Sequence, residues 1–202
     1  MDLKRWLNLM NSFGINSNEN VYDSLVKAYS EKHRFYHNAQ HIDAVLSHLD
    51  KVTNLAENLS EIELALWFHD AVYKPFSKDN ELKSAGWSSE FLLSEGVDPE
   101  VIKSVHKLII ATIHSASLNC IDEQLIVDID LTILGSSSLV YDEYEKNIRK
   151  EYKWVPKPIY RKKRKELLAS FLDCEKIYQT DYFQGKFEKQ ARLNIKNALI
   201  QL

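Results

Sequence analysis

The sequence contains little glycine, proline or cysteine. Five glycines, four prolines and two cysteines stand among its 202 residues. The scarcity of glycine and proline argues against an all-β chain with many tight turns and favours long helices. The two cysteines, Cys120 and Cys174, lie far apart and belong to no metal-type cluster. We therefore expect two free thiols and a reducing compartment.

A long apolar run and a large net charge are also missing. No segment approaches the roughly 20 apolar residues that a membrane-spanning helix needs, and the opening MDLKRWLNLMNSFG is too polar for a signal peptide. The formal net charge of −3 does not favour nucleic acid as a partner. The basic run 161–165 follows a helical pattern and is interpreted as a solvated helix face. We therefore expect a cytoplasmic protein without a membrane span.

Apolar residues recur with the period of an α-helix along nearly the whole chain. The segment ELALWFHDAV is apolar on almost every side, so it is expected to form a buried central helix that Pro75 ends. The short run LIVDI fits a strand by periodicity alone, but its surroundings favour a helix. The sequence predicts one all-α domain of about ten helices over residues 1–202.

Charged side chains interrupt two of these apolar helical segments. His69 and Asp70 stand within LALWFHDAV, and Asp128 and Asp130 stand within QLIVDIDLTIL. A buried carboxylate is costly unless it is paired, hydrogen-bonded or bound to a metal ion. The adjacent histidine and aspartate therefore suggest shared metal ligation.

Residues of three predicted helices can supply such a metal site. His41 lies beside an apolar stripe, so His41, His69, Asp70 and Asp130 would offer two imidazoles and two carboxylates. This mixed set suits one divalent ion, Mn²⁺, Fe²⁺, Co²⁺, Ni²⁺ or Zn²⁺, and less readily Mg²⁺. On an octahedral ion, the four ligands leave two positions for water and a substrate oxygen.

The order of these residues resembles the H…HD…D pattern of the HD superfamily of metal-dependent phosphohydrolases. The blocks RFYHNAQHI, ALWFHDAVYKP, DNELKSA, DIDLTILG and IRKEY are similar, in order and spacing, to one bacterial-type subfamily. The resemblance covers about residues 30–195. It implies an HD-type helical bundle in which His41, His69, Asp70 and Asp130 hold the metal, with Asp128 as the alternative to Asp130 or as a support for the ligands. It also implies a small phosphorylated substrate, a phosphomonoester or a nucleotide, attacked by a metal-activated water.

Two carboxylates are candidates for the catalytic base. Asp70 is one, and Glu81, near the start of the next predicted helix, is the other. A carboxylate at that position would also interact favourably with the helix dipole, so both interpretations of Glu81 stay open.

Several basic residues are candidates for binding substrate or for supporting the ligands. Each has a plain structural interpretation as well, such as a hydrogen bond at a helix end or an exposed charge. His106 and His114 lie on one predicted helix and would be needed for a second metal ion, which we do not expect. The candidates are His37, Lys74, His114, Arg149 and, as a further phosphate fork, Arg34.

Other function classes fit the same residues. A di-iron HD-type oxygenase would use His106 and His114 as additional ligands and would contain about two irons per chain. A non-catalytic module would bind a nucleotide or metal without turnover. A helical nucleic-acid-binding module would use the basic run 161–165, and its binding would depend strongly on salt. The pattern specifies no oligomeric state.

Overall fold

The computed structural model describes residues 1–16, 19–114 and 118–202. Over these ranges the chain is all-helical, with 71% of it in helices and no strand. The prediction of an all-α chain of about ten helices is confirmed, and the run LIVDI lies within a helix. The longer helices are α1 (Leu3–Ser12), α2 (Glu19–Tyr29), α3 (Ala39–Leu49), α4 (Leu59–Phe68), α5 (Asn80–Ser94), α6 (Pro99–Ala111), α7 (Ile121–Asp130), α8 (Ser138–Glu151), α9 (Lys157–Asp173) and α10 (Lys189–Gln201).

The chain divides into two compact units, Met1–Val127 and Asp128–Leu202. Helices α1 to α6 belong to the first unit, and α8 to α10 belong to the second. Helix α7 begins in the first unit and continues unbroken to Asp130. A 3₁₀ segment, Leu131–Gly135, follows it in the second unit. The expectation of a single domain stays a prediction.

The core of the first unit is built around α4. Its residues 64–68 have no exposed surface, and α1, α3, α5 and α6 pack against it. The ring of Trp6 in α1 meets that of Trp67 edge-on at 5.4 Å between centroids. Burying one large apolar side chain contributes roughly 1.5–3 kcal/mol. The almost uniformly apolar surface of α4 thus explains its central position.

Helix α4 ends earlier than the sequence predicts. We expected it to reach Pro75, but it ends at Phe68; His69 is its C-cap residue and Asp70 lies in the turn that follows. Side chains distant in sequence hold this turn: the guanidinium of Arg34 donates to the carbonyls of Asp70 and Ala71. These bonds satisfy backbone groups that a longer helix would have paired internally.

The start of α4 is also held by a residue from elsewhere in the first unit. The carboxylate of Asp122 accepts hydrogen bonds from the backbone amides of Glu57 and Asn58, at 2.8 Å each. The spacing of Ser60 and Glu63 suggests a capping box, but that prediction is wrong. The helix begins at Leu59, and the carboxylate of Glu63 instead accepts two hydrogen bonds from Arg5.

In the second unit, α10 packs against the 3₁₀ segment that follows α7. The side-chain amide of Asn194 donates to the carbonyls of Leu134 and Ser136, at 2.9 and 2.8 Å. A Cβ atom at Gly135 would lie 2.6 Å from the Cβ of Phe187, so only glycine permits this close approach.

No single helix in the described part of the chain is long and apolar enough to cross a membrane. The stretches 121–135 and 138–151 reach the required length and hydropathy only when counted together, and they are bent by 102°.

Candidate metal centre

His69 lies at the C-terminal end of α4, and a hydrogen bond determines which of its ring nitrogens carries the proton. Its Nδ1 lies 2.9 Å from the carbonyl oxygen of Leu66, and the ring is 1% exposed. Because a carbonyl only accepts hydrogen bonds, Nδ1 carries the proton, and in the neutral ring Nε2 is left with its lone pair. Metal-binding histidines characteristically donate their second nitrogen to a carbonyl or carboxylate in this way.

His41 faces this lone pair from α3. The side chain of Asn38 caps α3 by accepting from the amides of Gln40 and His41, which places His41 in the first turn of the helix. Its Nε2 lies 3.0 Å from the Nε2 of His69. Two buried imidazoles therefore present ring nitrogens to one point.

The carboxylate of Asp70 completes a group of three within the first unit. Its Oδ2 lies 3.2 Å from the Nε2 of His69 and 3.5 Å from that of His41. Burial alone would raise the pKa of Asp70, but the adjacent His69 imidazole lowers it below the usual range, with further contributions from His37 and His41. Asp70 is therefore ionised at neutral pH, as a metal ligand must be.

These separations suit a single metal ion. Two donor atoms held about 2.1 Å from an ion lie about 3.0 Å apart at a right angle and about 3.4 Å apart at the tetrahedral angle. The observed separations are 3.0, 3.2 and 3.5 Å. Two imidazoles with an ionised carboxylate form a donor set that divalent transition metals accept. The residues present thus fit the ion that the sequence pattern implies.

Asp130 adds a second carboxylate. It is the last residue of α7 and is half-buried. Because Asp130 belongs to the second unit, its place as a ligand beside His41 and His69 stays a prediction from the sequence.

Asp128, the alternative ligand in the sequence, is occupied elsewhere in the second unit. Its carboxylate accepts hydrogen bonds from the amide of Gln179, at 2.7 Å, and from both the amide and the hydroxyl of Thr180. The side chain is fully buried, and burial raises its pKa. Asp128 therefore anchors the segment around Thr180, which explains why two carboxylates so close in sequence have different surroundings.

Arg34 holds the turn that carries Asp70. Its guanidinium donates to the carbonyls of Asp70 at 2.6 Å, Ala71 at 2.9 Å and His37 at 3.1 Å. The side chain is fully buried and also pairs with a half-exposed glutamate. The sequence offered Arg34 as one candidate for a phosphate fork; in the structure its donors join the turn after α4 to the segment before α3. A buried guanidinium that makes three of its hydrogen bonds to backbone carbonyls is a feature that the sequence alone does not reveal.

Two side chains of the DNELKSA block fasten the same turn from α5. Asn80 accepts from the amide of Lys74 and donates to its carbonyl, and the Ser84 hydroxyl accepts from the amide of Val72. Both side chains are buried. The block therefore supports the turn through backbone contacts, a role that we did not infer from the sequence.

His37 lies beside the three converging side chains. Its ring stacks on that of Tyr73 at 4.2 Å and lies 6.2 Å from that of His41. It also interacts electrostatically with Asp70. His37 and Tyr73 together form an aromatic wall next to the centre, consistent with the substrate-side position suggested for His37.

The other candidate residues have different surroundings. Within the described residues, the side chains of Glu81 and of the exposed Lys74 make no hydrogen bond or ion pair. Arg149 donates to the carbonyls of Tyr152 and Val155 in the second unit.

The expected pairing of His106 and His114 on one helix is wrong. Helix α6 ends at Ala111, so His114 lies beyond it with a φ of 59°, and it is exposed. His106 remains on α6, where its Nδ1 lies 3.1 Å from the Ser89 hydroxyl. A histidine is among the residues that tolerate positive φ best.

Comparison of the chain with protein-family models, with curated proteins and with solved structures finds no match in any of the three.

Proposed function

We propose that this chain is a metal-dependent phosphohydrolase of the HD type that acts on a phosphomonoester or a nucleotide. The observation that carries the proposal is the convergence of His41, His69 and Asp70, whose donor atoms lie 3.0–3.5 Å apart. Asp130 is the fourth ligand that the sequence pattern implies, and it stays a prediction. The H…HD…D order and the all-helical fold agree with this interpretation.

A divalent ion bound there would lower the pKa of a water molecule and withdraw charge from a phosphoryl group. Among the three converging side chains, Asp70 is the most accessible, at 15% exposed against 3% and 1% for the two histidines. It is ionised, so it can accept the proton of the attacking water. The water oxygen forms its bond to phosphorus as the ester P–O bond breaks, and the leaving oxygen takes a proton from solvent.

The aromatic wall would receive the substrate. His37 is a neighbouring imidazole that is not among the proposed ligands, and we assign it the binding of a phosphoryl oxygen. The stacked Tyr73 ring limits how His37 can turn. Glu81 as the base and Lys74 as a phosphate contact stay predictions from the sequence.

The surroundings of the other histidines favour this function over a di-iron oxygenase. A second iron needs additional imidazoles near the first. His106 is engaged with Ser89, and His114 lies past the end of α6.

Phosphate release from a panel of phosphomonoesters and nucleotides, with Mn²⁺, Co²⁺, Ni²⁺, Zn²⁺ or Mg²⁺ added in turn, tests the proposal. We expect hydrolysis of at least one compound, lowered by more than about 100-fold in His69→Ala. His48→Ala, a histidine on α3 outside the centre, is the matched control and should retain the activity. Metal binding without hydrolysis of any compound would instead identify a non-catalytic module.

A further inference from the structure

A cleft in the second unit is lined by several basic side chains and by none of the proposed metal ligands. It lies between α8, α9 and the end of α10 and has a volume of about 440 Å³. Pockets for small ligands usually range from about 300 to 1,000 Å³. Its charged lining residues are Lys146, Arg149, Lys157, Arg161, Asp142 and Glu145.

The cations of this cleft outweigh its carboxylates. Glu145 is already engaged by the buried Arg164, which donates to both of its oxygens at 2.6 and 3.1 Å. Within the described residues, Arg149, Lys157 and Arg161 form no ion pair. Lys146 pairs with Glu143, at 3.7 Å, outside the lining. Asp142 is the remaining carboxylate of the lining against Arg149, Lys157 and Arg161, so the cleft carries a positive potential.

Arg149 is held in a fixed position at the cleft. Its guanidinium donates to the carbonyls of Tyr152 at 2.6 Å and Val155 at 3.1 Å, and it lies 4.7 Å from the centre of the Tyr160 ring. These contacts position the charge without neutralising it. A fixed guanidinium loses less conformational entropy on binding an anion than a mobile one.

Tyr160 lies beneath the Arg149 guanidinium. Its side chain lines the cleft and is 8% exposed, and its hydroxyl has no hydrogen-bond partner in the described part of the chain. Burial raises the pKa of this hydroxyl to about 12, so it keeps its proton at neutral pH. The hydroxyl is itself buried, so Tyr160 contributes to the cleft through its ring, which lies against the Arg149 guanidinium.

We propose that this cleft is a binding site for a small molecule that carries two or more phosphate groups. Arginine pairs with phosphate in a forked geometry, and two lysines and two arginines around one cleft suit a compact polyanion. The remaining lining residues are Ala198, Gln201 and Leu202, of which two are apolar, and they can accept the non-phosphate part of such a ligand. The site is independent of the proposed metal centre, because it shares no residue with it.

Pyrophosphate is the probe for this site. Its affinity would be measured by calorimetry on the full chain in a chelator, which removes metal from the proposed centre. We expect Lys157→Ala/Arg161→Ala to weaken binding at least about 10-fold. The matched control is Lys162→Ala/Lys163→Ala, which removes the same charge from the same helix but from residues that do not line the cleft. The control should stay within about two-fold of the wild-type chain. All four side chains are exposed, so neither variant should lose its fold.

Several results would overturn the proposal. An equal loss of pyrophosphate affinity in both double variants would show that general surface charge, and not the cleft, causes the binding. A loss in His69→Ala as large as that in Lys157→Ala/Arg161→Ala would move binding to the proposed metal centre. Absence of pyrophosphate binding would exclude a small-anion site. So would a short oligonucleotide that binds more tightly than pyrophosphate and whose binding is also lost in Lys162→Ala/Lys163→Ala.

Discussion

Replacement of Arg34 by methionine should destabilise the chain and loosen the proposed metal centre together. Methionine keeps much of the apolar stem but removes the donors to the carbonyls of Asp70, Ala71 and His37. A hydrogen bond to a charged group contributes about 1.5–3 kcal/mol. The three bonds share one guanidinium and are not additive. We therefore expect the free energy of unfolding to fall by about 4 kcal/mol, within the 3–5 kcal/mol typical of breaking a buried charged network.

Two assays separate this effect from plain destabilisation. Urea unfolding in a chelator gives the free energy without metal, and a competition titration with Zn²⁺ gives metal affinity, which we expect to fall about 10- to 100-fold. Arg5→Met is the matched control, because Arg5 pairs with Glu63 and Asp50 in the same unit but does not touch the turn. A fall of less than about 1 kcal/mol in the free energy of unfolding of Arg34→Met would refute the reasoning. Equal losses of Zn²⁺ affinity in Arg34→Met and Arg5→Met would refute it as well.

The remaining predictions concern packing, capping and metal linkage. Gly135→Ala should lower the free energy of unfolding by about 1–3 kcal/mol or more, because the added Cβ would overlap Phe187. Gly86→Ala on α5 is the control: its added Cβ meets no atom within 4 Å, so the variant should be as stable as the wild-type chain or more stable. Urea unfolding of both variants measures the difference. Asp122→Ala should cost about 1–2 kcal/mol, measured in the same way, because it removes the acceptor for two amides at the start of α4; a loss of less than a few tenths would contradict that role. Addition of a chelator should lower the melting temperature of the metal-loaded chain, because an ion at 100 times its Kd stabilises the folded state by about 2.7 kcal/mol. In His41→Ala the chelator should no longer change the melting temperature. A chelator effect that persists in this variant would place the metal elsewhere.

The helical architecture could be predicted from local signals. A capping aspartate followed by a proline, Asp98 and Pro99, predicts a helix start, and α6 begins there, with the Asp98 carboxylate accepting from the amide of Glu100. Gly14 and Gly96 end their helices with φ values of 71° and 73°, a conformation that glycine adopts most readily. Such boundaries depend on residues a few positions apart, which is why the sequence reveals them.

The boundaries that we predicted wrongly depend on distant residues. Helix α4 ends at Phe68 because Arg34 and Ser84 bind the turn that follows, 36 and 12 positions away from the carbonyl of Asp70 and the amide of Val72. A periodic apolar pattern carries no information about such partners. The same holds for Glu63, whose carboxylate binds Arg5 instead of closing a capping box.

The candidate site likewise has features that the sequence reveals and features that depend on residues distant in the chain. The sequence order already suggested that His41, His69 and Asp70 belong together, because buried charged groups need partners. The different surroundings of Asp128 could not be predicted, because Gln179 and Thr180 are 51 and 52 positions away. The sequence therefore identifies the chemistry of the centre better than it identifies the side chains that support it.

Metal content per chain tests the central claim most directly. The wild-type chain, His41→Ala and His48→Ala would each be incubated with Mn²⁺ or Zn²⁺, freed of unbound ions and measured by inductively coupled plasma mass spectrometry. We predict about one tightly held ion in the wild-type chain and in His48→Ala, and none in His41→Ala. An equal metal content in all three proteins, or no bound metal in the wild-type chain, would contradict a metal centre formed by His41, His69 and Asp70.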